Sequence, residues 1–368
     1  MDGSQSDTRP DDHAPENPAA KKIIFWRAFG ASVVGHSHIS RGLGNQDAVH
    51  WYPADDGLDN TGLPAIIAVS DGHGETACVR SDRGARFAVE IAVDVLRQFA
   101  SDMQLRGGNE VADVKEFAPR LLHRPISERW TARVLADCES KPFSPGELLR
   151  LIGTEESPAD GVEQKKKLKA YGCTILAVLA TPSFLVGLQV GDGAIAIAYP
   201  DGESRLLIPP HKAHFGNETT SLCSDPVDMA VDVLGLEKGG PVVVMACTDG
   251  YEKAIDTEYF RCTLLGEYVE CFRKRYGWRE IYKDLPGMLE DATNKGSGDD
   301  ATAAFLVSSV LEDPASEADA LPSTRNKSID KTHFAAEPDC GNSTATSIAS
   351  GRQHDDDQQP PIDSGPRP

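Results

Sequence analysis

The sequence has no Cys-x-x-Cys pair among its eight cysteines, no excess of basic residues, and no basic or apolar segment at its start. Scattered cysteines of this kind are typical of reduced thiols and argue against a disulfide framework or a zinc site. With 37 basic and 57 acidic residues the formal net charge is -20. Such a charge makes nucleic acid and anionic lipid poor partners. Residues 1–7 lack the features of a secretory signal, so we expect a cytoplasmic protein.

A long apolar run is also lacking, although the uncharged stretch 171–191 is long enough to cross a bilayer. Thr181-Pro182-Ser183 divides this stretch into two short runs rich in β-branched residues, which predicts a β-hairpin instead. We therefore expect no membrane partner.

The two ends of the chain differ in composition from its body. Residues 1–20 and 312–368 are rich in Asp, Ser, Thr, Pro, Asn and Gln and show almost no apolar periodicity. Such segments bury too little apolar surface to offset the entropy lost on ordering. We expect both ends to be disordered, with one folded domain over residues 21–311.

Within this domain, helical patterns are grouped and several strand patterns follow one another directly. Helical periodicity covers 81–103, a segment from 126 onward, 145–152, 256–275 and 278–293. Strand patterns cover 22–34, 48–52, 64–70, 174–180, 184–190, 194–199, 204–208, 242–247 and 301–307. This order favours an α+β layered fold with antiparallel sheets over a doubly wound parallel sheet.

Three apolar strand patterns end in Asp-Gly, at Asp71, Asp192 and Asp249. A single Asp-Gly is most simply a turn. Several carboxylates converging at the ends of buried strands would repel one another unless a cation neutralised them. Hard oxygen ligands suit Mg²⁺ or Mn²⁺ better than zinc. Two further acidic motifs, at Asp47 and at Asp299-Asp300, precede strands and join this set.

The motifs occur in a fixed order along the chain: Asn-Gln-Asp (45–47), Val-Ser-Asp-Gly-His-Gly (69–74), Tyr-Gly-Cys-Thr (171–174), Val-Gly-Asp-Gly (190–193), Ala-Cys-Thr-Asp-Gly (246–250) and Gly-Ser-Gly-Asp-Asp-Ala-Thr (296–302). This ordered set resembles the metal-dependent protein phosphatase family, also called protein phosphatase 2C. The resemblance covers about residues 22–310. It implies a four-layer α-β-β-α sandwich with two central antiparallel sheets and a two-metal site at one end of the sheets.

The resemblance also implies roles for particular residues. Two Mg²⁺ or Mn²⁺ ions would be held by Asp71 as the bridging ligand, the Gly72 carbonyl, Asp249, Asp299 and, through bound water, Asp47. A hydroxide between the metals would attack phosphorus in line. His73 matches the family's candidate proton donor to the leaving seryl or threonyl oxygen, a task that suits histidine.

The residue that grips the substrate phosphate is left open by the sequence. Many members have Arg two residues before the motif that corresponds to Asn45-Gln46-Asp47, whereas Arg41 is separated from Asn45 by three residues. The phosphate is therefore gripped by Arg41, by His38 or by neither. Gln46 stands in place of the common Glu, which removes a charge beside the metals.

Other departures concern the remaining acids. The usual Gly-Asp-Ser-Arg is Gly-Asp-Gly-Ala at 191–194, so we interpret Asp192 as structural. No acid precedes Gly172, which makes a third metal doubtful. Asp300 stands where Asn commonly follows the last ligand, and it would compete with Asp299 for the metal.

Together these features predict a cytoplasmic Mg²⁺/Mn²⁺-dependent phosphatase of protein phosphoserine or phosphothreonine, in a signalling role. By the resemblance its partner is a Ser/Thr kinase or the target of that kinase. A small phosphoester is a second possible substrate. The alternative from another class is a catalytically silent member that binds a phosphoprotein or senses a metal.

Two segments stay ambiguous. The lysine-rich run 165–169 is either a solvated loop or a docking site, and 211–220 is either a polar surface loop or a substrate-recognition element.

Overall fold

The computed structural model describes residues 25–53, 64–105, 111–153, 162–209, 220–236, 239–274 and 277–309. The predictions of disordered ends at 1–20 and 312–368, and almost all of the loop 211–220, lie outside the described residues.

The described strands form two antiparallel sheets of five strands each. The first sheet has the order β1-β10-β9-β6-β7 and consists of β1 (Trp26–Val33), β10 (Ala301–Ser308), β9 (Val243–Cys247), β6 (Ala194–Ala198) and β7 (Ser204–Leu206). The second has the order β2-β3-β4-β5-β8 and consists of β2 (Ala48–Tyr52), β3 (Ala65–Ser70), β4 (Ile175–Ala180), β5 (Phe184–Val190) and β8 (Ala230–Gly235).

Helices cover the outer face of each sheet. The helical elements are α1 (His36–Ser40), α2 (Ser81–Leu105), α3 (Val111–Ser140), α4 (Pro145–Ile152), α5 (Gln164–Lys169), α6 (Asp249–Glu252), α7 (Thr257–Tyr259), a π-helical turn (Phe260–Leu264), α8 (Leu265–Phe272) and α9 (Gly277–Lys295). Helices α2 and α3 pack on the second sheet, and α8 and α9 pack on the first. The predicted α-β-β-α sandwich is confirmed.

The two sheets bury a shared apolar layer between them. Side chains that alternate along the strands meet there, such as Ile67 and Val69 of β3 and Ile195 and Ile197 of β6. The alternate residues of β3, Ile66 and Ala68, face α2 and α3 instead. Because both faces of a central strand are covered, its sequence is an unbroken apolar run.

Most predicted strands are confirmed to within two residues at their first and last positions, and 171–191 contains the predicted hairpin of β4 and β5. Strand β8 had no prediction. The first described strand begins at Trp26, and residues 22–24 of its predicted range lie outside the described residues. The prediction of a loop at 165–169 is wrong, because helix α5 covers these residues.

The prediction that a helix starts only after Pro125 is wrong, because α3 begins at Val111 and contains both Pro119 and Pro125. Its buried residues recur every four positions through both prolines: Val114, Ala118, Leu122, Ile126, Trp130, Val134 and Cys138. Burial of this continuous stripe against α2 and the second sheet outweighs the local cost of the prolines.

Candidate active site

The acidic motifs meet at one end of the sandwich because of the strand pairing. Ala48 at the start of β2 lies opposite Ser70 at the end of β3. Cys247 at the end of β9 pairs with Ala303 of β10 and with Ala194 of β6. The antiparallel order therefore brings the segment before one strand beside the segment after the next, and the acids on these segments converge.

Asp47 joins the two sheets at this end. It is 9% exposed. Its Oδ2 accepts hydrogen bonds of 2.7 Å from the hydroxyls of Thr248, just after β9, and Thr302, near the start of β10 in the other sheet. Burial raises the pKa of Asp47 to about 8, although these two hydrogen bonds oppose the shift.

Asp71, Asp192 and Asp249 form a group of three carboxylates, with one oxygen of each lying within 4.8 Å of the others. The Asp71 backbone is fixed by its N–H, which donates to the Thr174 hydroxyl at 2.9 Å. Burial, followed by the charges of Asp47 and Asp249, holds the pKa of Asp71 well above its ordinary value. Concentrated negative charge of this kind favours the binding of a cation.

Two glycines allow the motif segments to approach so closely. A Cβ on Gly72 would lie 2.6 Å from the Gln46 carbonyl oxygen, and one on Gly250 would lie 1.9 Å from that of Asp300. Glycine is therefore required by packing at both positions, because any side chain would collide with the neighbouring backbone.

Asp299 and Asp300 are adjacent in sequence, but their side chains lie in different surroundings. Asp300 is 3% exposed, and its two oxygens accept backbone N–H groups of Gly35 and Gln46, each at 2.6 Å. Asp299 is half-exposed at the cleft, and burial together with the charge of Asp249 raises its pKa. Asp300 thus fixes the backbone around the site. Its competition with Asp299 for the metal stays a prediction, since His38, Asp299 and Asp300 also form a group of possible metal ligands.

His38 lies between these two carboxylates. Its Nδ1 is 2.9 Å from Asp300 Oδ1, and its Nε2 is 3.6 Å from Asp299 Oδ1. The ring is 5% exposed. His38 is therefore placed to orient Asp299.

His73 and Arg41 line one cleft of about 910 Å³ together with Asp71, Asp249 and Asp299. The backbone N–H of His73 donates to the Gly172 carbonyl at 3.0 Å. Burial lowers the pKa of the His73 imidazole ring. Arg41 is exposed, and its Nε donates to the Ser37 carbonyl at 3.1 Å. The structure thus brings both predicted residues to the cleft that holds the acids.

Sequence reasoning missed two residues of this cleft. Asp192 was interpreted as structural, yet it lies with Asp71 and Asp249; its place in the second of the three Asp-Gly motifs was the available signal. Lys253 received no prediction, although it lies one helical turn after Asp249. Its Nζ donates to Asp249 and lies 3.5 Å from Asp192 Oδ2.

The residues fit hard divalent cations. The donors at this end of the sandwich are carboxylate oxygens, and the Gln46 Oε1 is buried without a hydrogen-bond partner and faces the same region. Oxygen donors of this type suit Mg²⁺ and Mn²⁺.

A family model described as protein phosphatase 2C matches residues 34–290. The chain belongs to this family. Serine/threonine-protein phosphatase 3 of Escherichia coli K12 is 24% identical over 230 residues, which are 62% of this chain and 75% of that protein.

Solved structures of the family resemble this one. Serine/threonine phosphatase Stp1 from Staphylococcus aureus has a TM-score of 0.44 at 12% identity, covering 77% of this chain and 94% of that one. The catalytic domain of the serine/threonine phosphatase PstP, in complex with two manganese ions, has a TM-score of 0.43 at 16% identity, covering 77% and 99%.

Among the helices that the structure describes, none combines the length and the apolarity needed to cross a bilayer.

Proposed function

We propose that the chain hydrolyses phosphoserine and phosphothreonine monoesters of a protein substrate, with Mg²⁺ or Mn²⁺ as the required cofactor. The observation that carries this proposal is the convergence of Asp71, Asp192 and Asp249 beside Asp47 and Asp299 in the cleft that His73 lines. Buried, mutually repelling carboxylates are stable in this arrangement when cations neutralise them.

The residues that would hold two such ions are Asp47, Asp71, the Gly72 carbonyl, Asp249 and Asp299. When bound, the ions would lower the pKa of an attacking water and stabilise the negative charge on the phosphoryl oxygens. Asp192 joins this set by its position in the structure. The Thr248 and Thr302 hydroxyls hold Asp47 in place for this role.

His73 would supply the proton that the leaving seryl or threonyl oxygen needs. Its lowered pKa follows from burial, and its backbone is held by Gly172. Arg41 would contact the phosphate from the exposed side of the cleft. His38 is enclosed between Asp299 and Asp300, which favours Arg41 over His38 as the phosphate ligand.

The partner we expect is a phosphorylated protein, made by a Ser/Thr kinase in the same compartment. We expect this compartment to be the cytoplasm, and six of the cysteines within the described ranges are free thiols, in keeping with it.

The test is hydrolysis of p-nitrophenyl phosphate and of a phosphothreonine peptide with Mn²⁺, with Mg²⁺ and with chelator. We expect metal-dependent turnover that Asp249→Asn reduces by more than about 100-fold. Calorimetry on the same variant should show weaker Mn²⁺ binding. Asp94→Asn, an exposed aspartate of α2, is the matched control and should change neither quantity.

A wild-type protein that is folded and binds Mn²⁺ but hydrolyses neither substrate would overturn the proposal. That result would support the catalytically silent phosphoprotein-binding alternative. Turnover of the small ester alone would instead indicate a small-molecule substrate.

A further inference from the structure

One face of helix α5 lines the candidate active-site cleft. Lys165, Lys166 and Lys169 contribute to the wall of the cavity that also contains Asp71 and His73. We call these three residues the lysine face. Lys165 and Lys166 lie four and three positions before Lys169, and residues at these two spacings are neighbours on a helical surface.

The backbone connects the lysine face directly to the catalytic region. Gly172 donates its N–H to the Lys169 carbonyl at 3.0 Å, and the Gly172 carbonyl accepts the His73 N–H at 3.0 Å. Lys169 Nζ also lies 2.9 Å from Glu75, two residues after His73. The helix therefore keeps a defined position relative to His73.

The segment after α5 is anchored in the protein interior. Tyr171 is fully buried, and its hydroxyl donates to Asp137 at 2.6 Å and accepts from Arg80 at 2.9 Å. Leu168 packs against the core formed with α2 and α3. This anchoring presents the lysine face as a preorganised surface, which lowers the entropic cost of binding a ligand.

Charge indicates what this surface binds. The protein carries a net charge of -20, and the metal-binding end of the cleft is acidic. An anionic phosphoprotein approaching the site is repelled by the protein as a whole, so a local positive surface beside the site determines which anions are accepted. Lysine ammonium groups attract carboxylates and phosphates as point charges.

We propose that the lysine face binds an anionic side chain that lies close in sequence to the phosphoserine or phosphothreonine being hydrolysed. The inference rests on the proposed function, and it adds a substrate preference for phosphorylated sites with acidic or phosphorylated neighbours. Asp or Glu side chains and a second phosphate share the required negative charge.

The experiment compares three phosphothreonine peptides of equal length, flanked by Glu, by phosphoserine or by Ala. We expect wild type to have a higher kcat/KM for the two anionic peptides than for the Ala peptide. In the double variant Lys165→Gln/Lys166→Gln the ratio of kcat/KM, anionic over neutral, should fall about tenfold, because exposed ion pairs contribute modestly. The Glu and phosphoserine arms show which anion is preferred.

Lys167→Gln is the matched control, because Lys167 belongs to the same helix but does not line the cleft. It should leave the ratio unchanged. A ratio near one in wild type, an unchanged ratio in the double variant, or an equal fall in Lys167→Gln would overturn the inference.

Peptide affinity in the presence of chelator, measured by fluorescence anisotropy, separates this inference from the proposed function. If wild type never hydrolyses any substrate, the proposed function fails. The affinity ratio of anionic to neutral peptide, and its fall in the double variant, still decides whether the lysine face binds anions.

Discussion

At the scale of single residues, neighbouring carboxylates of the site have different interaction partners. Asp300 accepts hydrogen bonds from two backbone N–H groups, whereas Asp71 and Asp249 interact with one another and Asp249 is also paired with Lys253. Adjacent positions in the sequence therefore have different surroundings, since Asp299 lines the cleft and Asp300 binds backbone N–H groups.

His73 provides a test of proton donation. We expect His73→Gln to slow hydrolysis of a phosphothreonine peptide by about 100-fold. Hydrolysis of p-nitrophenyl phosphate should change much less, because nitrophenolate leaves without a proton. Steady-state kinetics on both substrates make the comparison, with His50→Gln of β2 as the control. An equal loss on both substrates would show that His73 does not act as the proton donor.

Lys253 provides a test of charge balance at the site. Burial opposes its charge, but the hydrogen bond and charge of Asp249, aided by Asp192, raise its pKa overall. Because this ammonium group competes with a cation for Asp249, Lys253→Met should tighten Mn²⁺ binding by about three- to tenfold. Calorimetry measures the affinity, and the exposed Lys274→Met is the control. Weaker binding in Lys253→Met would contradict this prediction.

At the scale of elements, an ion pair between Arg80 and Glu147 helps to attach α4 to the body, together with the buried side chain of Leu151. Arg80 directly precedes α2, and its Nε and Nη2 donate to the two carboxylate oxygens of Glu147 at 2.7 and 3.2 Å. Its Nη1 donates to the Lys141 carbonyl at 2.7 Å. Glu147 also completes the capping box of α4 with Ser144. The hydrogen bond from Arg80 lowers the pKa of Glu147 to about 2.

Removal of this carboxylate should therefore destabilise the protein. We expect Glu147→Gln to lower the free energy of unfolding at pH 7 by about 2 kcal/mol, because a buried guanidinium loses its partner. The Glu147 pKa is lower in the folded than in the unfolded state, so its contribution is present above about pH 4.5 and is lost as the pH falls toward about 2. Denaturant unfolding between pH 7 and 3 measures both effects.

The control for this measurement is Glu139→Gln, an exposed residue near the end of α3. It should change the free energy of unfolding by less than about 0.5 kcal/mol. If Glu147→Gln retains the pH dependence of wild type over this range, the ion pair does not anchor α4.

At the scale of the whole molecule, the two sheets form the body on which the site depends. Strand β10 lies between β1 and β9, and it follows Asp299 and Asp300 directly. The site is therefore completed only when the last described strand joins the first, across the full length of the domain.

A shortened chain tests the predicted domain boundaries. We expect residues 21–311 alone to fold with an unfolding temperature within about 3 °C of the full chain and to keep its turnover of p-nitrophenyl phosphate. The excluded segments have little apolar content and are not expected to contribute to the core. Scanning calorimetry and kinetics measure these quantities.

The control is a chain that stops at residue 300, which lacks β10 and should not fold. Loss of the fold in the chain 21–311 would show that the boundaries are wrong.

The sequence by itself determined most of the strands, the layered class of the fold and the set of acids at the strand ends. These properties are encoded locally: alternating or unbroken apolar runs predict strands such as β3 and β9, and Asp-Gly marks the point where each ends. The stripe of buried residues in α3 was also present in the sequence, but Pro119 and Pro125 concealed its start.

Only the tertiary structure decided which of these acids meet. That outcome depends on the sheet orders, which pair strands far apart in the chain and cannot be derived from local periodicity. It placed Asp192 beside Asp71 and Asp249, directed Asp300 to backbone N–H groups, and turned the lysine face toward the cleft. The physical reason is that burial and mutual repulsion of charges arise from proximity, and proximity is set by the packing of the whole domain.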